Sequence, residues 1–187
     1  MTIKEKKKVN SILFFASKSG GRIDRLKLMK LLWLSDRIHL NKYGRLILKD
    51  DYNALPHGLV PSNTMDITKK TLDDYFDVEK YEIIAKSTFE SGCFSESDIE
   101  IMEQVWEQYG KKMDGLQLRD FSHNFPEWLR FEKELNNPIL PKSYAIVIDD
   151  FFCAPINKVD YPHSLDESNK SKEYFHVHST IQSFLSK

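Results

Sequence analysis

Residues 24–44 read Asp24-Arg-Leu-Lys-Leu-Met-Lys-Leu-Leu-Trp-Leu-Ser-Asp-Arg-Ile-His-Leu-Asn-Lys-Tyr-Gly44, and this stretch is the strongest indication of the fold. Asp24 belongs to the residue types that cap the start of a helix, and Gly44 suits the left-handed position just after one. The stretch therefore predicts a helix from about Asp24 to Tyr43. Its middle is apolar nearly all round, which is typical of a central helix with other elements on several sides. The residues expected in one buried helical core are Leu28, Leu31, Leu32, Trp33, Val105 and Trp106.

Helical periodicity also appears on both sides of this stretch. Upstream, the apolar residues from Val9 to Ala16 share one helical face, and Gly20-Gly21 ends that helix. Downstream, Ser95 followed by Asp98 has the pattern of a variant capping box, which opens an amphipathic helix closed by Gly110. Two more helix starts are predicted, at Asp114 and at Pro126.

Other segments break the helical pattern. Residues 46–48 and 52–55 predict two short strands around an acidic turn, and residues 81–89 predict another strand or hairpin. Residues 56–61 predict a rigid loop, because each of its prolines denies the preceding residue a helical conformation. Residues 144–148 favour either a late strand or a short buried helix. The remaining predictions are a helix capped by Ser62 or Asn63 that reaches about Asp74, a long loop over residues 154–172, and a C-terminal amphipathic helix over residues 173–186.

The composition is typical of one soluble globular domain. The chain has 187 residues, of which 41% are hydrophobic and 29% are charged. No stretch approaches the roughly 18 apolar residues that a membrane span needs. Cys93 and Cys153 belong to no cysteine or histidine cluster, so free thiols in a reducing cytoplasm are expected. We predict a mainly α fold, a single-domain helical bundle over residues 1–187 with a small β-hairpin or short-sheet element, in a cytoplasmic protein.

The charges are distributed unevenly along the chain. Residues 1–49 contain 13 Lys and Arg against 3 Asp and Glu, a balance of +10, whereas the remainder contains 14 against 25, a balance of −11. Such asymmetry is typical of a nucleic-acid-binding face, or of a basic segment that packs beside acidic segments of the same fold. We favour the second interpretation.

The sequence offers little to catalysis. It lacks the phosphate-binding patterns GxxxxGK[ST] and GxGxxG and the zinc pattern HExxH. His176 and His178 are two residues apart, so they point apart on a helix. Asp120, Ser122 and His123 are residue types that a nucleophilic site uses, but their spacing matches no nucleophile elbow. We predict no enzyme activity, no cofactor and no metal.

Three blocks of the sequence resemble the Panacea family, also called the SocA-like antitoxin domain. Residues 27–44 are similar to its most recognisable helix, K-L-x-K-L-L-[YW] followed by an acidic or histidine residue and a closing Y-G. Residues 51–62 resemble its Y-x-A-x-x-x-G-P-V block, with Leu59 in place of the proline. Residues 95–109, then 116–123 and Pro126-Glu-Trp128, resemble its late helix and the [ST]-H and P-W signature that follows.

The resemblance covers roughly residues 8–131, and it implies a fold and a function. Members of the family are antitoxins that neutralise small toxins by direct protein–protein binding, and some members occur in phage-related contexts. One member is an adaptor that delivers its toxin to a protease. The implied fold is a helical bundle with a small β element. We therefore expect an antitoxin whose partner is a cognate protein toxin. Alternatives are a protease adaptor and a nucleic-acid-binding regulator, although nucleic acid and membrane are not the expected partners.

The partner surface is expected on stiff elements that carry the residue types favoured in tight interfaces. Arg37 lies on the central helix, Tyr43 lies at its end, and His57 lies between Pro56 and Gly58 in the loop that follows. If that loop folds back beside the end of the helix, these three residues form one patch. The alternative is that Arg37 pairs with a local acid, Tyr43 only caps the helix, and His57 is hydrogen-bonded to the backbone.

Overall fold

The computed structural model describes residues 1–185, except for the side chains of residues 182, 183 and 185. The helices are α1 (Ile3–Lys18), α2 (Arg25–Tyr43), α3 (Ser62–Ile67), α4 (Glu96–Val105), α5 (Gly115–Ser122), α6 (Pro126–Leu129), α7 (Glu132–Asn136) and α8 (Leu165–Leu185). The strands are β1 (Arg22–Asp24), β2 (Tyr52–Leu55), β3 (Gly58–Pro61), β4 (Phe76–Glu79), β5 (Glu82–Ala85) and β6 (Tyr144–Ala145). They form two antiparallel sheets, ordered β1-β5-β4 and β3-β2-β6. The mainly α fold with short sheets is confirmed.

Helix α2 is the centre of the fold, as its apolar circumference predicts. The Asp24 carboxylate accepts a hydrogen bond of 2.8 Å from the Lys27 backbone N–H, and Gly44 ends the helix with φ of 64°. Contacts with α1, α4, α5, α8 and β3 surround the helix. The six residues predicted for the core are all buried, and Trp106 is the most exposed of them at 7%.

The strand predicted at residues 46–48 is absent, because a buried carboxylate binds its backbone. Asp36 Oδ1 accepts the N–H groups of Ile47 and Leu48 at 2.5 and 3.0 Å, and Asp36 Oδ2 accepts the Tyr52 hydroxyl at 2.6 Å. These N–H groups are then not available to a strand partner. The Asp36 side chain therefore fixes the connection that leaves α2 and leads to β2.

The segment predicted as a loop over residues 56–61 is instead a tight hairpin. Leu55 pairs with Gly58 and Tyr52 pairs with Pro61, so only Pro56 and His57 form the turn between β2 and β3. The loop prediction relied on proline alone. Pro61 stands at the end of its strand, where a missing N–H is tolerated.

Helix α3 begins where expected but is capped differently and is shorter. Its start is held by Asp50, whose carboxylate accepts the backbone N–H groups of Asn63 and Thr64, both at 2.9 Å. The prediction of a cap by Ser62 or Asn63 is therefore wrong, and so is the extension to Asp74, since α3 ends at Ile67. A carboxylate twelve or more residues away could not be recognised as a cap from local sequence.

Of the later helix starts that the sequence predicts, all but one agree with the structure. Capping boxes are present at Ser95 and at Asp114, and Pro126 occupies the first turn of α6. The exception is α8, which begins at Leu165, so the loop predicted over residues 154–172 is wrong from residue 165 onward. Residue 186, the predicted last residue of this helix, lies outside the described residues. No helix among residues 1–185 is long and apolar enough to cross a lipid bilayer.

The central position of α2 leads to a stability prediction. Trp33 is fully buried, its ring contacts Phe125 edge-on at 4.9 Å, and its Nε1 donates to Glu127 Oε1 at 3.3 Å. We expect Trp33→Ala to lower the free energy of unfolding by about 3–5 kcal/mol, as large aromatic deletions do. Tyr81→Ala, at a residue that is 60% exposed, serves as the matched control in urea unfolding. Equal midpoints for the two variants would contradict the central placement of Trp33.

Candidate partner-binding surface

Three distant segments meet beside the first half of α2. The Lys30 Nζ donates a hydrogen bond of 2.7 Å to the carbonyl of Leu59 in β3. Gly58 has φ of +85°, and a Cβ atom there would overlap Ser122 Oγ at the end of α5 and lie 2.8 Å from Lys30 Nζ. Only glycine satisfies both the backbone conformation and the available space. The hairpin therefore packs backbone-first onto α2 and α5.

The Lys30 amine is buried without a carboxylate. Its side chain has no exposed surface, and no described Asp or Glu lies within ion-pair distance of it. Burial holds the pKa of Lys30 well below its usual range, and the nearby Arg119 guanidinium lowers it further. Within the part of the chain that the structure describes, the Leu59 carbonyl is the one hydrogen-bond acceptor of this amine, so the amine depends on the hairpin backbone for its partner.

An aromatic pair supports the other side of the hairpin. The His123 ring stacks on Trp128 with centroids 3.7 Å apart, and the Trp128 Nε1 donates to the Leu55 carbonyl at 2.9 Å. Burial lowers the pKa of His123 to about 4, and Lys30 contributes in the same direction. The imidazole is therefore neutral at neutral pH. Lys30 and Trp128 together fasten both strands of the hairpin just behind its turn.

The hairpin turn and the neighbouring helix α5 expose a surface of mixed chemical character to solvent. Pro56 and His57 are exposed at the turn, and His57 is close enough to His123 to affect its pKa. The hairpin meets α5 at Ser122, near the end of that helix, and the outer face of α5 carries Leu116, which is 57% exposed, and the ion-paired Arg119 and Asp120. We call His57, Leu116, Arg119 and Asp120 the hairpin–α5 surface. It combines apolar, cationic and hydrogen-bonding groups on fixed backbone.

Arg37 is not on a surface. It is fully buried, and its Nε donates to Glu127 Oε1 at 2.8 Å, while one Nη donates to the Cys153 carbonyl at 2.6 Å. Its guanidinium also lies over the rings of Phe125 and Tyr161, at 4.5 and 4.8 Å. The expectation that Arg37 is not committed to the core is wrong. Its acidic partner is distant in sequence, so the alternative of a local acid is wrong as well.

Tyr43 lies far along α2 from the place where the hairpin that carries His57 packs. The hairpin packs at Lys30, and thirteen residues of helix separate Lys30 from Tyr43, which is about 20 Å at 1.5 Å per residue. The Tyr43 hydroxyl donates to Glu100 at 3.0 Å. The loop folds back beside the start of the helix and not its end, so the three residues do not form the single patch that was predicted. A separate contribution of Tyr43 to binding stays a prediction.

Asp120 and Ser122, two of the residue types that a nucleophilic site uses, are bonded to Arg119. The Ser122 hydroxyl donates to the Arg119 carbonyl at 2.7 Å, and Asp120 pairs with the Arg119 side chain. Among the residues that the structure describes, no group of three or more His, Cys, Asp or Glu could hold a metal ion. The absence of a cofactor and of a metal stays a prediction.

The basic N-terminal segment is largely neutralised within the fold. Eight of its thirteen Lys and Arg form ion pairs with acidic side chains beyond residue 49, counting only pairs between described residues. These eight are Lys6, Lys7, Lys8, Lys18, Arg22, Arg37, Lys42 and Arg45. The interpretation that a basic segment packs beside acidic ones agrees with these pairs.

The helical fold and the hairpin fixed on its central helix define a mainly α domain with short sheets. The family model for the SocA-like antitoxin, Panacea domain, matches residues 28–129, which is more than half of the chain. The protein belongs to this family, as the three motif blocks predict, and the family supports an antitoxin role. No match was found among the curated proteins or among the solved structures compared with the chain.

Sequence reasoning missed Lys30 and Glu127 as structural residues. Both lie inside the quoted motif blocks, Lys30 in the first and Glu127 between the proline and tryptophan of the third. Their position in the motifs was the available signal. It carried no information on burial, because charged residues of these types are almost always exposed.

The buried Arg37–Glu127 ion pair attaches the third motif block to α2, and its contribution to stability can be tested. Arg37→Met leaves Glu127 buried without its cation, and we expect a loss of about 3–5 kcal/mol in unfolding free energy. The double variant Arg37→Met, Glu127→Leu removes both charges and should recover most of that loss. Urea unfolding of the two single variants and the double variant measures this coupling. Additive losses would show that the pair is not coupled.

The neutral His123 imidazole predicts that the free energy of unfolding depends on pH. The pKa of His123 is depressed in the folded protein, so its contribution to stability is present above its ordinary value of 6.5 and is lost as the pH falls towards about 4. His123→Phe keeps the stacking on Trp128 and removes the titration. We expect the parent's unfolding free energy to fall more steeply between pH 6.5 and pH 4 than the variant's, by about 1 kcal/mol per pH unit. Parallel curves from urea unfolding would contradict a neutral buried His123.

Proposed function

We propose that this protein is an antitoxin that neutralises a cognate protein toxin by direct binding, and that the toxin docks on the hairpin–α5 surface. Membership of the antitoxin family supports the class of function. The docking site is supported by one observation above the others. His57 is exposed at a two-residue turn whose strands are fastened by Lys30 and Trp128 immediately behind it.

The physical advantage of this arrangement is preorganisation. A contact surface that is already ordered loses little conformational entropy when a partner binds. The surface also offers Arg119, a residue type that is enriched in the anchors of tight interfaces, and the exposed apolar Leu116 lies one helical turn before it. The Arg119–Asp120 pair can exchange its internal ion pair for one with the partner. No catalytic step is needed for this activity, and we propose none.

The last 50 residues belong to the same unit in our proposal. Asn41 of α2 donates to the Phe151 carbonyl at 2.6 Å, and Ser168 of α8 donates to Asn41 Oδ1 at 2.6 Å. Together with the Arg37 contact to Cys153, these bonds attach the segment beyond the family match to the central helix. They support the proposal of one domain over residues 1–187.

Simple measurements distinguish two alternative functions from the proposed one. A nucleic-acid-binding regulator would lose affinity steeply as salt increases, because phosphate contacts release counterions. The internal pairing of the basic segment argues against such a surface. A protease adaptor would lower the amount of toxin in the cell, whereas a neutralising binder leaves the toxin present in a complex.

Co-expression tests the proposal. The product of the neighbouring reading frame is expressed alone, where it should arrest growth, and then with this chain, where growth should recover. We expect Leu116→Glu with Arg119→Glu to abolish the recovery and to weaken binding by roughly 30-fold or more, as the loss of an interface anchor does. Each variant is first shown to fold by circular dichroism.

The matched control changes the same residue types at exposed positions elsewhere. Leu165 is 67% exposed on α8 and Arg22 is half exposed in β1, so Leu165→Glu with Arg22→Glu reproduces the chemistry away from the surface. This control should rescue growth fully. Full rescue by the Leu116 and Arg119 variant would exclude the surface, and failure of the unmodified chain to bind the neighbouring product would contradict the function with that partner.

A further inference from the structure

Helix α8 carries an apolar stripe that its own fold does not cover. Tyr174, Val177, Ile181 and Phe184 are 56, 61, 50 and 71% exposed. Their spacing is three, four and three residues, which is the a and d pattern of a coiled coil, with Tyr174 and Ile181 at a and Val177 and Phe184 at d. A run of four large apolar side chains on one exposed face is typical of a binding surface.

Val177, Ile181 and Phe184 point away from the body of the protein, while Tyr174 at the start of the stripe lies against Gly44 at the end of α2. The inner face of α8 is marked by Ser168 and Ser171, which are buried, and by Phe175, which packs on Phe152. At 100° per residue, the mean direction of the stripe lies about 130° around the helix from this inner face. A second α8 could therefore lie along the stripe while the two bodies remain on opposite sides.

The residues that flank the stripe are complementary to themselves. Glu173 precedes the first a position, which makes it a g residue, and His178 follows five residues later at an e position. In a parallel two-stranded coil, a g residue of one helix lies beside the e residue five positions further along its partner. Glu173 of each copy would then face His178 of the other, twice by symmetry, which pairs an acid with a base.

We propose that α8 is a self-association surface, on which a second copy of this chain packs its own α8 in parallel and in register. The interface is a symmetric one in which the same stripe serves both copies. It lies on α8, away from the hairpin–α5 surface on α5, so a dimer would present two docking surfaces for partners.

The oligomeric state tests this proposal directly. Sedimentation equilibrium of the chain alone, over a hundredfold range of concentration, should show a reversible monomer–dimer equilibrium. Val177→Glu with Ile181→Glu places charges in the interface and should weaken the dimer by roughly 100-fold or more. Ile139→Glu with Ile156→Glu is the matched control, since these residues are 89% and 68% exposed outside α8 and should leave the equilibrium unchanged. A monomer at every concentration, or equal weakening by the control, would overturn the proposal.

A charge exchange tests the flanking pair. Glu173→Lys places a cation beside His178 of the other copy and should weaken the dimer severalfold. Adding His178→Glu to that variant restores opposite charges and should return the affinity towards the parent value. Loss of affinity in the double variant equal to the sum of the two single losses would contradict the pairing of these residues.

Cross-linking tests the parallel register. In a background with Cys93→Ser and Cys153→Ser, Val177→Cys places two thiols beside each other across the axis of a parallel pair, and mild oxidation should give a covalent dimer. Ser179→Cys, on the other side of the helix, should not link. A link that forms only when Val177→Cys is combined with Ile181→Cys would indicate antiparallel helices and overturn the arrangement. A monomer whose Val177 and Ile181 variant instead fails to bind the toxin would assign the stripe to the toxin.

Discussion

Charged side chains buried on the central helix determine where the surrounding segments go. A charge or polar group that leaves water must find a partner inside the protein, because an unpaired one is strongly destabilising. Helix α2 buries Lys30, Asp36 and Arg37 within eight residues. Lys30 holds the β2–β3 hairpin, Asp36 holds the backbone of residues 47 and 48, and Arg37 holds the third motif block and the Cys153 carbonyl. The three segments are thereby fixed relative to one another.

The same constraint explains the surface. The hairpin turn is stiff because the Lys30 amine and the Trp128 indole hold its two strands by hydrogen bonds. If the strands moved away, these buried donors would lose their acceptors, which costs free energy. Stiffness at an exposed position is what a binding surface needs and what a core alone does not require. Arg37 supports this arrangement from inside, through Glu127, which precedes Trp128. Its role is therefore structural in the free protein, although its residue type suggested a direct contact.

Local sequence patterns predicted several helix caps and stops correctly, and they did not predict the partners that are distant in the chain. Asp24, Gly44, Ser95, Asp114 and Pro126 act within three or four residues of themselves, so their caps and stops could be recognised directly. By contrast, the Asp36 bonds to residues 47 and 48, the Asp50 cap of α3 and the Arg37–Glu127 pair span eleven to ninety residues. Neither periodicity nor composition encodes such pairs. The predicted patch failed for this reason, while the exposure of His57 followed from its turn residues.

The fixed hairpin and the neighbouring helix are the proposed binding site of the toxin. Amide hydrogen exchange, measured for this chain alone and in complex with the product of the neighbouring reading frame, tests the claim without altering a residue. We predict that binding slows exchange in residues 55–60 and 115–123 and leaves β4 and β5 unchanged. A complex in which those two segments exchange as in the free protein, with protection confined to other elements, would contradict it.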